Sequence, residues 1–153
     1  MLETPHVIVG AAIATKVANP ALALPLALGS HFLLEKVPHW NPHLNTETEK
    51  YGKPTKKSTK IVIIDATLAT LSALYIAYRV LPDSGHFITI LAAGFAAALP
   101  DIIEGPYFFL NSRSAFIKRW ILFQKSIQED TTIIPGLLTQ LVTIVAAFWW
   151  ILG

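Results

Sequence analysis

Residues 131–152 read TTIIPGLLTQLVTIVAAFWWIL, twenty-two positions without a charged side chain. A helix needs about 20 mostly apolar residues to cross a bilayer. Trp149-Trp150 closes the stretch as an interface anchor does. Nothing in it alternates polar and apolar residues as a half-buried strand would. This segment therefore predicts a transmembrane helix, and the rest of the chain is read outward from it.

The whole chain of 153 residues carries the same bias. Apolar residues make up 53% and charged residues only 14%, against about 25% charged in an ordinary soluble domain. Mean hydropathy is +0.51. So little charge excludes a disordered chain and is too little to cover a soluble surface. There is no cysteine, which excludes disulfides, thiolate nucleophiles and Cys-based zinc sites. A net charge of +2 gives no polybasic character, so no nucleic-acid partner is expected.

Upstream of the last span, residues 111–130 are amphipathic and basic, with Arg113, Lys118, Arg119 and Lys125. Apolar Ala115, Phe116, Trp120, Ile121, Phe123 and Ile127 alternate with them, a pattern suited to lying along an interface. Residues 86–110 predict a fourth helix, disrupted late by Pro100 and Gly105-Pro106. Residues 61–81 predict a third. Residues 41–60 hold Asn41, Pro42, Asn45, Gly52, Pro54 and five lysines, the composition of a solvated loop. Residues 20–37 predict a second helix with Pro25 one turn inside. Residues 6–18 predict a short first helix that ends before Asn19-Pro20. Glu3 and His6 precede that stretch and Lys16 interrupts it, unlike a secretory signal peptide. The expectation is an all-α, polytopic membrane bundle of about five helices, one of them short, plus an amphipathic interfacial helix. Residues 1–153 form a single integral membrane domain.

Loops 41–60 and 111–130 hold the basic residues, whereas the turn at 82–85 has none. By the positive-inside rule both basic loops face the cytoplasm, which puts the N-terminus there as well if the first helix crosses. His6, His31, Glu35, His39, Asp65, Asp101 and Glu104 then fall at a similar depth near the cytoplasmic ends of four helices. Ionisable groups within spans are costly and are functional candidates for that reason. His31 and Glu35 share a helix face at spacing four, as Asp101 and Glu104 do at spacing three. Imidazole with carboxylate is a ligand set for Zn²⁺, Mn²⁺ or Fe²⁺, and helical bundles build one- and two-metal sites this way. The plainer reading is that such groups cap helices or meet headgroups, Asp65 through the helix dipole or Lys60. His43 and His86 read as loop residues.

Certain residues resemble a known family. Thr4-Pro5-His6 with Gly10-Ala11-Ala12, then Ser30-His31-Phe32-Leu33-Leu34-Glu35, Pro38-His39-Trp40 and Ala98-Leu99-Pro100-Asp101 resemble small inner-membrane proteins described as membrane-bound metal-dependent hydrolases. The resemblance spans about residues 4–110. Glu35 stands where that family commonly has Asp, and the Leu-Pro-Asp segment comes later than in its best-described branch. The resemblance implies location in the inner membrane and metal-dependent hydrolysis. On that reading His6, His31, Asp65 and Asp101 ligate a divalent metal, most simply zinc, with manganese or iron as alternatives and one or two ions. Glu35, Glu104 and His39 serve as further ligands, as a second metal's ligands, or as the general base. Membrane lipids are the expected surroundings, a phospholipid or other phosphate ester a possible substrate, and a homo-oligomer a possible assembly.

No Gly-x-Ser-x-Gly elbow, His-Glu-x-x-His motif or Gly-rich phosphate loop occurs in the chain, so no rival nucleophile or phosphate cradle competes. The alternatives are a proton or metal-ion transporter using the same residues, or a non-catalytic membrane partner subunit. A conduit needs polar groups through to the far side, where only Lys16, Arg79, Asp83 and His86 are found.

Overall fold

The computed structural model describes residues 1–153 and contains eight helices and no strands. They are α1 (Glu3–Lys16), α2 (Pro20–Leu34), α3 (Leu44–Tyr51), α4 (Lys56–Tyr78), α5 (Ser84–Ile102), α6 (Gly105–Phe109), α7 (Ala115–Ile127) and α8 (Ile133–Leu152). The chain is all-helical as expected, with two short helices that the sequence reading leaves in loops. One is α3, inside the lysine-rich segment. The other is α6, split from α5 where a single helix over 86–110 was expected.

Three helices, α4, α5 and α8, are long and apolar enough to cross a membrane. The distribution of side-chain size fits that setting. The interior is built from small residues, including Ala11, Ala12, Ala23, Ala27, Ala93 and Ala97, each fully buried. Large apolar side chains point outward instead, among them Leu71, Tyr75, Leu138, Val142 and Trp149. Small residues let helices pack closely where lipid removes the hydrophobic drive between them.

Helix α1 is the axis of the molecule and packs against α2, α4, α5 and α8. Its closest approach is to α5: a Cβ added to Gly10 would lie 2.7 Å from both the Ala93 carbonyl oxygen and the Ala97 Cβ. Pro20 starts α2 behind Asn19, whose side chain accepts from the Ala21 N–H at 3.0 Å, an N-cap with Pro in the first turn. Asp83 caps α5 through the His86 N–H at 2.9 Å.

Helix α1 lacks such a cap of its own. The side chain of Asp65, from α4, accepts from the Glu3 N–H at 2.5 Å, the Thr4 N–H at 3.2 Å and the Thr4 hydroxyl at 2.6 Å. These are donors that a helix start leaves unpaired. Helix α3 also rests on contacts distant in sequence. Glu47 accepts from the Thr55 N–H and the Ser58 hydroxyl, both at 2.7 Å. Burial works against its charge, but those donors hold the Glu47 carboxyl below the usual range.

Candidate metal centre

The N-terminal turn of α1 and the C-terminal ends of α2, α5 and α7 meet at one end of the bundle. His6 comes from α1, His31 from the last turn of α2, Asp101 from the end of α5 and Gln124 from α7. His6 and His31 are completely buried, and their rings stack with centroids 4.1 Å apart and planes 22° apart. Candidate ligand atoms of His6, His31 and Asp101 all lie within 4.8 Å of one another.

The hydrogen bonds fix which atoms face the cluster. His31 Nδ1 lies 2.9 Å from the Ala97 carbonyl and donates to it, so the lone pair sits on Nε2. That nitrogen faces two acceptors, the Gln124 amide oxygen at 3.1 Å and Asp101 Oδ1 at 3.8 Å. His6 Nε2 donates to Glu35 Oε1 at 3.1 Å, leaving a lone pair on Nδ1, a buried atom with no hydrogen-bond partner. Each imidazole is thus held at one nitrogen by a protein acceptor; the other nitrogen is unpartnered in His6 and meets the Gln124 amide oxygen in His31. Metal-binding histidines are oriented in this way. An acceptor facing an acceptor in a dry interior needs a proton or a cation between them, so the residues present fit a divalent metal.

Gln124 is the residue the sequence reading missed. Its amide nitrogen donates to Asp101 Oδ1 at 2.9 Å and to Glu104 Oε1 at 3.2 Å. It is a buried amide on a helix whose charged residues, Lys118, Arg119 and Lys125, are exposed. Glu104 follows α5, and burial, then the Asp101 carboxylate beside it, push its carboxyl up to about 8. Glu3, read only as a feature of the N-terminus, has Asp101 and Asp65 as carboxylate neighbours.

The other expected site residues divide into two groups. Asp65, expected as a ligand, stands outside the His6–His31–Asp101 group because its carboxylate is taken up by the α1 N-terminus. Glu35 and His39 stand outside the His6–His31–Asp101 group. Glu35 Oε1 pairs with both the Met1 ammonium and His6, and His39 Nε2 is 3.7 Å from Glu35 Oε2. Burial, and then the Met1 ammonium, pull the His39 imidazole below its usual range.

A cavity of about 230 Å³ opens beside the cluster, lined by Glu3, Asp65, Asp101, Glu104, Gln124 and Lys125 among others. At the opposite end of the helices His86 donates to the Ala14 carbonyl at 2.9 Å, and Asp83 is spent on capping α5.

No protein-family model, curated protein or solved structure matches this chain.

Proposed function

We propose that the protein is a membrane-embedded metal-dependent hydrolase whose metal is held by His6, His31 and Asp101. The observation that carries this reading is the pair of buried imidazoles, each fixed at one nitrogen by Glu35 or the Ala97 carbonyl, with the other nitrogen unpartnered in His6 and facing only acceptor oxygens, of Gln124 and Asp101, in His31. The motif resemblance to membrane-bound metal-dependent hydrolases, which includes His6, His31 and Asp101, supports the same reading. Zinc suits the imidazole and carboxylate set.

A metal held by His6, His31 and Asp101 would supply Lewis-acid chemistry and acidify water at the site. The protein's own contribution is positional. Glu35 and the Ala97 carbonyl fix the tautomers of His6 and His31. Gln124 tethers Asp101 and Glu104 through one amide nitrogen. Glu104, protonated at neutral pH and lining the cavity, holds a proton at its carboxyl that it can give to a leaving group and take back. The substrate enters by the cavity and is a phospholipid headgroup or another ester that reaches the bilayer surface.

The membrane setting belongs to the same reading. Three helices suited to crossing, and loops rich in lysine on the site's side, favour an inner-membrane protein with the site and N-terminus towards the cytoplasm. Helix α7 exposes Phe116, Leu122 and Phe123 next to Lys118, Arg119 and Lys125, and on this reading rests in the headgroup layer. A conduit fits less well, since the buried ionisable groups gather at one end of the bundle.

The test is metal content by mass spectrometry on detergent-purified protein, beside His31→Gln and Asp101→Asn. The expected result is bound zinc, manganese or iron in the wild type and its loss in both variants with helicity retained. A folded wild type that takes up no divalent metal overturns the proposal. Screening of phosphate and acyl esters with the loaded protein then fixes the bond cleaved.

A further inference from the structure

We propose a second cation site between Glu35 Oε2 and His39 Nε2, which would make the centre dinuclear, Glu35 ligating the second ion through Oε2 while its Oε1 orients His6, a ligand of the first. It rests on the reading above only for the first ion, because its own two ligands are not in the His6–His31–Asp101 group.

Both atoms are buried and neither has a hydrogen-bond partner, and they face each other at 3.7 Å. His39 Nδ1 donates to the Val37 carbonyl at 2.8 Å, so Nε2 carries the lone pair. A lone pair here confronts a carboxylate oxygen, the same opposition of acceptors found at His31. The other oxygen, Oε1, already takes the Met1 ammonium and the His6 N–H, so those donors do not serve Oε2.

The spacing favours a metal over a proton. A charged imidazole donating to a carboxylate sits about 2.7–2.9 Å away. Ligand bonds of about 2.1 Å, by contrast, bridge a gap of 3.7 Å at an angle near 125°. The backbone is not free to close the gap. The His39 N–H donates to the Glu129 carbonyl at 3.0 Å and its carbonyl accepts from the Thr131 N–H at 2.9 Å. Glu35 is tied to the same strap, its carbonyl accepting from the Glu129 N–H at 3.0 Å. Gln140 then holds the next residue, donating to the Trp40 carbonyl at 2.8 Å. The two ligands are thus set at their separation by one segment, residues 129–131.

Zinc alone is the probe. The purified protein is stripped with chelator, loaded with excess zinc, desalted and counted, as wild type, His39→Gln and His31→Gln. The expected result is two equivalents in the wild type and one in each variant. One equivalent in the wild type, lost in His31→Gln, overturns the second site and leaves the proposed function standing. One equivalent that survives His31→Gln but is lost in His39→Gln retains this site and overturns the other. Two equivalents retained in folded His39→Gln overturn the second site, and none in the wild type overturns both. Should His39→Gln fail to fold, the wild-type count decides alone: two equivalents support the pair and one overturns it.

Discussion

His6 and His31 lie face to face, ring centroids 4.1 Å apart, in an interior that excludes solvent from both. A stack this close, with no solvent to screen it, disfavours two positive charges, whereas a shared metal requires both rings to be neutral. Metal affinity should therefore fall on acidification, because protons compete with the metal for the imidazole and carboxylate ligands. Competition against a chromophoric chelator at pH 7.5, 6.0 and 4.5 measures it, and an affinity that does not fall anywhere in that range would count against the ligand set.

Gln124 provides a check on the wall of the site that α7 contributes. Its amide holds Asp101 at 2.9 Å and faces His31 Nε2 at 3.1 Å. Gln124→Leu keeps roughly the volume and removes the tether. Loss of such an outer partner costs about 10- to 100-fold in metal affinity. Chelator competition at pH 7.5 should register that loss with the circular dichroism spectrum unchanged.

Glu104 gives a pH dependence with a definite sign. Its carboxyl is pushed up to about 8 by burial and by Asp101, above the ordinary Glu range near 4.3. The folded state therefore retains a proton that the unfolded chain has released. The stability tied to that proton is fully present below the unfolded value and is lost as pH rises through about 8. Metal-free wild-type protein in detergent should lose thermal stability between pH 5 and pH 9. Glu104→Gln, which cannot ionise, should lose distinctly less over the same range.

Gly136 sets the position of the His39 segment from outside. A Cβ added there would fall 2.6 Å from the Trp40 Cβ and 2.8 Å from the His39 carbonyl carbon. Those atoms belong to a backbone already strapped to residues 129–131, so they cannot yield cheaply. Gly136→Ala should cost about 1–3 kcal/mol by overpacking, read as a lower unfolding midpoint in detergent. Gly29→Ala is the control, because an added Cβ there meets nothing within 4 Å.

The long helices were legible because lack of charge over some twenty residues is a local property. The convergence of His6, His31 and Asp101 was legible for a related reason. Ionisable groups in apolar segments stand out, and their positions along each helix give their depth. What escaped depends on partners far along the chain. Asp65 resembles a ligand in the sequence, but its carboxylate meets Glu3 and Thr4, some sixty residues earlier. Helix α3 is weakly patterned by itself and is fastened by Glu47 to Thr55 and Ser58. Gln124 is uncharged and lies on a basic helix, so neither charge counting nor ligand chemistry singles it out.

The capping of α1 by Asp65 bears on how the chain is made. A ribosome delivers α1 before α4, yet the acceptor for the opening amides of α1 lies on α4. Helix α1 therefore remains unfinished at its start until α4 has been inserted and docked. The imidazole His6 contributes cannot be locked in place before then. Biogenesis thus has a built-in order, in which assembly of the bundle precedes completion of the centre, and metal acquisition is expected only at the end of insertion.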